Sequence, residues 1–163
     1  MMERTLVLLK PDAVQRGLVG RVLQRFEDAG FKIIGMKMVQ ADETLARKHY
    51  DEDVERRRGK EVRDWNVAFL KEAPVIAIVL QGLHAVENVR KMVGGTEPRS
   101  AVPGTIRGDF SHMSYESSGE RGIAIKNLIH ASANPEDAKK EIPLWFNEKE
   151  LKDYTLAHEN QVY

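Results

Sequence analysis

The chain contains no cysteine, which excludes disulfide staples, thiolate zinc sites and thiol nucleophiles and agrees with a reducing, cytoplasmic setting. Aromatic residues make up only 7% of its 163 residues, few for a sheet that stacks the bases of single-stranded nucleic acid. Net charge is missing too. Lys and Arg number 25, as do Asp and Glu, so no global field draws the chain to nucleic acid or a membrane surface. The longest clean apolar run, Val75 to Leu80, is far too short to span a bilayer. Neither a Gly-x4-Gly-Lys-Ser/Thr segment nor a Gly-x-Gly-x-x-Gly turn after a strand is present, so the common phosphate and dinucleotide loops are excluded.

What is there alternates between strand and helix patterns, with no linker polar or long enough to divide it. Residues 1–163 read as a single domain, long enough to bury a core without metal or disulfides. Thr5 to Leu9 is a short apolar run stopped by Pro11, which suits a buried strand. Val22, Leu23 and Phe26 recur at helical spacing from Val19, and Gly30 stops that helix before a strand from Phe31 to Val39. Glu43 to Tyr50 and Glu55 to Lys71 are predicted helices, Val75 to Leu80 a strand, and His84 to Met92 a helix ended by Gly94 and Gly95. A long stretch rich in Gly, Pro and Ser follows, from Gly95 to about Gly122, and a connection of that length in a compact domain commonly carries function. Ile123 to Ile129 is the last predicted strand. Asn134 as N-cap and Pro135 at the first helical position then open a helix running to Phe146. This order indicates an α/β sandwich with a ferredoxin-like, antiparallel sheet of about four strands and added helices.

Chemistry gathers at the element ends. His130 closes the last predicted strand, where a ring can enter a crevice and attack an electrophile with an unprotonated nitrogen. Lys10 ends the first strand, Arg90 lies near the end of a helix, Thr96 follows a glycine pair, and Arg107 stands within Pro103-Gly-Thr-Ile-Arg-Gly-Asp109. Guanidinium groups grip phosphate oxygens in a fork and lysine acts as a movable point charge, so this set suits a polyphosphate. The Arg56-Arg57-Arg58 run is a local basic cluster that also fits a solvated helix face.

Three segments in order, Glu3 to Gly20, Pro103 to Phe110 and Asn127-Leu-Ile-His-Ala-Ser132, closely resemble nucleoside diphosphate kinase across nearly the whole chain. The resemblance implies a ferredoxin-like βαββαβ core, a homo-oligomer (hexamer or tetramer), Mg²⁺, and ping-pong transfer of the γ-phosphate of ATP or another nucleoside triphosphate through a phosphohistidine on His130. It implies roles for other residues as well. Lys10 matches the lysine that contacts phosphate and sugar, Arg90, Thr96 and Arg107 match phosphate ligands, and Asn127 matches the asparagine on the ribose 3′-hydroxyl. Tyr50 matches a tyrosine beside the nucleophile. Glu141 matches the acid that orients its ring, and Ser132 the serine bonded to that acid. No side chain is assigned as a direct metal ligand.

The chain departs from the family pattern in three places. Ala131-Ser132-Ala133 replaces the usual Gly-Ser-Asp after the nucleophile. The customary Pro-Phe-Phe, whose phenylalanine stacks on the base, is absent between Asp51 and Val62. Counting back from Pro74 puts Val62 near that place, with an arginine of the basic run as the alternative base contact. Ser111 to Gly122 lengthens the loop before the active strand and is expected as a surface flap or subunit contact. A nucleotide sensor without turnover would keep the same pocket, but Lys10, Asn127, His130 and Glu141 together favour the enzyme.

Overall fold

The computed structural model describes all residues from Met1 to Tyr163. Four strands form one antiparallel sheet: β1 (Met2–Leu9), β2 (Lys32–Val39), β3 (Val75–Leu83) and β4 (Ile129–Ala131), in the order β2-β3-β1-β4. Ten helices surround them: α1 (Pro11–Gln15), α2 (Val19–Asp28), α3 (Glu43–His49), α4 (Glu52–Arg58), α5 (Lys60–Glu72), α6 (Ala85–Val93), α7 (Ile106–Phe110), α8 (Tyr115–Glu120), α9 (Pro135–Trp145) and α10 (Glu159–Val162). With α2 and α6 as the crossover helices, the strand order is that of the ferredoxin-like βαββαβ fold. None of the helices is long and apolar enough to cross a membrane.

Both faces of the sheet are covered, and this explains why β1 reads as an unbroken apolar run rather than an alternating one. Val7 and Leu9 face one way, into a core completed by Val22 and Phe26 of α2, Val89 and Val93 of α6, and Ile106 of α7. Leu6 and Leu8 face the other way, against Ala46 of α3, Val67 and Leu70 of α5, and Trp145 of α9. The central strands are therefore sealed, and the site must lie at their ends.

Several sequence expectations are corrected. The predicted strand Ile123–Ile129 is irregular up to Leu128, and ladder pairing begins only at Ile129. Leu128 has φ 69°, a left-handed conformation that interrupts a strand. His130 therefore sits in the middle of the short strand β4, opposite Leu8, rather than closing a long one. The predicted helix Glu55–Lys71 is two helices, broken at Gly59 with φ 92°. Pro11 does more than stop β1: it opens the helix α1 from the first helical position, where its missing N–H costs nothing. The long stretch from Gly95 to Gly122 contains α7 and α8, each capped by a hydroxyl, Thr105 onto Gly108 and Ser114 onto Ser117. Asn134 and Pro135 begin α9 as expected.

The C-terminal segment lies along the outer edge of β2. The Lys152 amide donates to Ile34 O at 2.7 Å, the Tyr154 hydroxyl to Ile33 O at 2.8 Å, and the Tyr163 hydroxyl to Gly30 O at 3.3 Å. Lys32 Nζ reaches Glu159 of α10 at 2.6 Å.

Phe26 is wholly buried at the centre of the α2 face. Phe26→Ala is expected to lower stability by about 3–5 kcal/mol, measured as a lower urea midpoint at unchanged slope; a loss under about 1 kcal/mol would contradict this packing.

Candidate active site

At the ends of β1 and β4 a cavity of about 750 Å³ opens, within the range of nucleotide-sized sites. Its inner end is basic. Lys10 caps β1 and starts α1, its backbone N–H donating to Leu128 O at 2.8 Å and its ammonium to Asn127 Oδ1 at 2.8 Å. Burial, with Arg107 adding repulsion and Asp12 opposing both, brings the Lys10 pKa down to about 8. Asp12 accepts from the Leu128 N–H at 3.0 Å, and burial raises its pKa. Asn127 is almost wholly enclosed and has both ends of its amide engaged, its Nδ2 donating to Thr96 O at 2.8 Å.

Arg107 holds the wall together. Its Nε donates to Asn127 O at 3.1 Å, its Nη1 to Gly94 O at 3.0 Å and its Nη2 to Ile129 O at 2.5 Å. Three of five donor hydrogens are thus spent on backbone, and two remain for a ligand. Burial, then the charge of Arg90, lowers its pKa to about 10. Arg90 on α6 and Thr96 line the same cavity, are exposed, and make no ion pair. The structure thus brings Lys10, Arg90, Thr96, Arg107 and Asn127 around one space with His130.

The histidine is held from behind. His130 Nε2 lies 3.0 Å from both carboxylate oxygens of Glu141, which projects from α9. Ser132, just past the end of β4, donates its hydroxyl to Glu141 at 2.5 Å and accepts from the Leu6 N–H at 3.3 Å. Burial works against the Glu141 charge, but the fields of His130 and His49 and the hydrogen bonds from His130 and Ser132 hold its pKa at about 2. An ionised carboxylate only accepts, so Nε2 carries the proton and the lone pair is left on Nδ1. Tyr50, at the end of α3, is buried in the cavity wall, which raises its pKa. Val62 of α5 lines the outer part of the cavity, half-buried.

Two residues were missed from the sequence. Asp12 sits two residues after Lys10, in a short helix that no apolar periodicity announces. His49 is the other: its ring stands perpendicular to that of His130, at 84° with centroids 4.4 Å apart. Its signal was its spacing, since Ala46 and His49 share one face of α3 and both are buried. Burial, then the charge of His130, lowers the His49 pKa to about 3, so the ring is neutral. Ligand atoms of His49, His130 and Glu141 lie within 4.8 Å of one another, a cluster with the composition of a metal site. The Trp145 indole N–H donates to His49 Nδ1 at 3.3 Å. Indole is a donor only, so Nδ1 is the unprotonated nitrogen of His49 and is already engaged, which leaves the ring no free lone pair for a cation. The segment Ser111–Gly122, expected as a flap or subunit contact, also walls this cavity through α8.

Comparison with known proteins gives the family. The family model described as nucleoside diphosphate kinase matches residues 3–151. A nucleoside diphosphate kinase of Borreliella burgdorferi is 45% identical over 164 aligned residues, covering 100% of this chain and 98% of that protein. One from Pyrococcus horikoshii is 49% identical, covering 95% of this chain and 92% of its own. Among solved structures, the Borrelia burgdorferi enzyme described as a transition-state mimic with bound vanadate and ADP superposes with TM-score 0.97 at 45% identity, covering 98% of this chain and 96% of that one. A halophilic enzyme from Halobacterium salinarum in complex with CDP gives TM-score 0.86 at 38% identity, covering 100% of this chain and 99% of that one. With the family model spanning most of the chain and relatives this similar over their full lengths, the chain belongs to the nucleoside diphosphate kinases, a family of phosphoryl-transferring enzymes.

Proposed function

We propose that this enzyme moves the γ-phosphate of a nucleoside triphosphate such as ATP to a nucleoside diphosphate in two half-reactions, through a phosphohistidine on His130. The observation that carries the proposal is the contact of His130 Nε2 with both oxygens of Glu141 at 3.0 Å: a carboxylate there accepts Nε2–H and leaves the Nδ1 lone pair for the cavity that His130 lines. Nδ1 attacks the γ-phosphorus in line. An N–P bond forms as the bond from phosphorus to the bridging oxygen breaks, and the diphosphate leaves with that electron pair. Lys10, Arg90 and Arg107 share the charge on the phosphates, Thr96 adds a hydroxyl, and Asn127 offers the ribose the one Nδ2 hydrogen that Thr96 does not take. Glu141 balances the positive charge that grows on the ring, and Ser132 keeps Glu141 in place. A second diphosphate then occupies the same space and reverses the step.

Mg²⁺ is assigned to the substrate. Asp51 caps α4, Asp53 pairs with Arg56 and Arg57, Asp137 accepts from Asn134, and Glu141 serves His130, so the carboxylates lining the cavity all have partners. A hard, water-loving cation carried by the phosphates fits such a site, and there it offsets phosphate charge. The same reading places the enzyme in the cytoplasm as a homo-oligomer, a hexamer or a tetramer. Met36 and Met38 of β2 expose apolar surface that suits self-association. Light scattering is expected to give four or six times the 18.5 kDa chain mass; a monomer would overturn the assembly.

Incubation with Mg²⁺ and γ-labelled ATP, without acceptor, should put acid-labile, alkali-stable label on the protein. A GDP chase should remove it, and His130→Ala should take up none. Label that persists in the variant, or never forms in the parent, would refute the phosphohistidine. Arg90→Ala is expected to slow turnover about 10²-fold, as loss of a preorganised donor does.

The pH profile is a separate test. Below pH 8 Lys10 keeps its proton and attracts phosphate; above it the free amine does not, so kcat/KM should fall as pH rises through about 8. Lys10→Gln should lower kcat/KM throughout and remove that limb. A variant that keeps the limb would assign it elsewhere.

A further inference from the structure

His49 is buried in the cavity wall and has no task in the chemistry above. Its two ring nitrogens are treated differently. Nδ1 accepts the Trp145 indole N–H, so Nε2 carries the proton, yet Nε2 is sealed from solvent and meets no acceptor. A buried donor left unpaired has lost its bonds to water with nothing in return. An apolar side chain would fill the space without that loss, so packing does not account for a histidine here.

Its neighbours give the reason. Three rings stand nearly perpendicular to it: Tyr50 at 71° with centroids 4.8 Å apart, Trp145 at 82° and 5.6 Å, and His130 at 84° and 4.4 Å, the nearest of the three. At 4.4 Å the edge of one imidazole rests on the face of the other, and no atom fits between them. Glu141 fixes which nitrogen of His130 bears hydrogen, but it holds only one corner of the ring, and the torsion about the Cβ–Cγ bond of histidine is broad. The His49 ring stands in the way of that rotation.

One helix supplies both restraints. Glu141 and Trp145 are four residues apart on α9, one above the other on the same face. Glu141 takes Nε2 of His130, while Trp145 takes Nδ1 of His49 and so sets the plane of the ring that abuts His130. Burial, then the charge of His130, keeps His49 neutral, and a neutral neighbour adds no repulsion as positive charge grows on His130.

We propose that His49 is a positioning residue for phosphoryl transfer: its ring, fixed by Trp145, keeps the His130 imidazole from turning, so that Nε2 stays on Glu141 and phosphorus meets Nδ1 alone. This deepens, and rests on, the phosphohistidine reading. A ring free to turn loses Glu141, and its other tautomer presents an unprotonated Nε2 to phosphorus. The same exchange then occurs at the wrong nitrogen: an Nε2–P bond forms, the bond from phosphorus to the bridging oxygen breaks, and the diphosphate leaves with that electron pair.

The nitrogen that bears phosphorus is the readout. Protein labelled with Mg²⁺ and γ-labelled ATP, then hydrolysed in alkali, releases Nδ1- and Nε2-phosphohistidine, which chromatography separates. The parent is expected to give the Nδ1 isomer alone. In His49→Ala, which removes the ring, kcat should fall about tenfold or more with KM little changed, because misplaced reacting atoms cost rate rather than binding, and the Nε2 isomer should appear. His49→Phe, which returns a flat ring without nitrogens, should restore the single isomer and part of the rate. A slower His49→Ala that still yields only the Nδ1 isomer would overturn the positioning role, as would a His49→Phe that behaves like His49→Ala. ¹⁵N NMR of the unaltered protein needs no substitution: at pH 7 His49 should carry its proton on Nε2, and a proton on Nδ1 would break the tie to Trp145 on which the role depends. A parent that takes no label sinks the transfer reading and this role together, whereas a labelled parent whose isomer is indifferent to His49 sinks this role alone.

Discussion

The buried guanidinium of Arg107 is the contact on which the rest of the site depends. Its three hydrogen bonds end on carbonyls of Gly94, Asn127 and Ile129, which belong to the end of α6, the approach to β4, and β4 itself. A charge taken out of water is costly unless its donors are met. Here the backbone meets three of them, and a phosphate is the natural partner for the remainder. The same residue therefore closes the wall and charges the cavity. The short helix carrying it is tightly seated as well, because Gly108 packs directly on the backbone of Ala101 and Val102, where no side chain fits.

That contact also explains which parts of the fold were legible in the sequence. β1, α2, β3 and α9 were read correctly in kind because local pattern and tertiary role agree: an apolar run sealed on both faces, an amphipathic helix, and a cap followed by proline. The segment Ile123–Ile129 misled because its composition is that of a strand while its carbonyls serve other partners. Arg107 takes those of Asn127 and Ile129, Ser111 takes that of Lys126, and Lys10 takes that of Leu128. Donors distant in sequence, the Arg107 and Ser111 side chains and the Lys10 backbone N–H, take these carbonyls, and no window of local pattern contains them.

The site divides in the same way. Charged residues at element ends could be gathered on chemical grounds, and motif resemblance gave each a role; the structure places all of them on one cavity. His49 was invisible because a histidine on the buried side of a helix looks like filler. Its importance lies in what it is denied. Trp145 engages its Nδ1, burial keeps it neutral, and it meets His130 ring edge to ring face instead of competing for Glu141. The wall formed by α8 was equally hidden, because an insertion rich in serine and glycine carries no periodic signal to show what it faces.

The strap that runs along β2 has a consequence for how the chain is made. Residues Gly30 to Ile34 leave the ribosome early, but the groups that cover them, Lys152, Tyr154, Glu159 and Tyr163, follow only after every strand of the sheet has emerged. During synthesis the sheet can close around β1 and β3 while part of its outer border stays bare, and an uncovered strand edge is a template for neighbouring chains. Completion of the fold is thus set by the order of translation: the segment that shields the border arrives after the surface it protects.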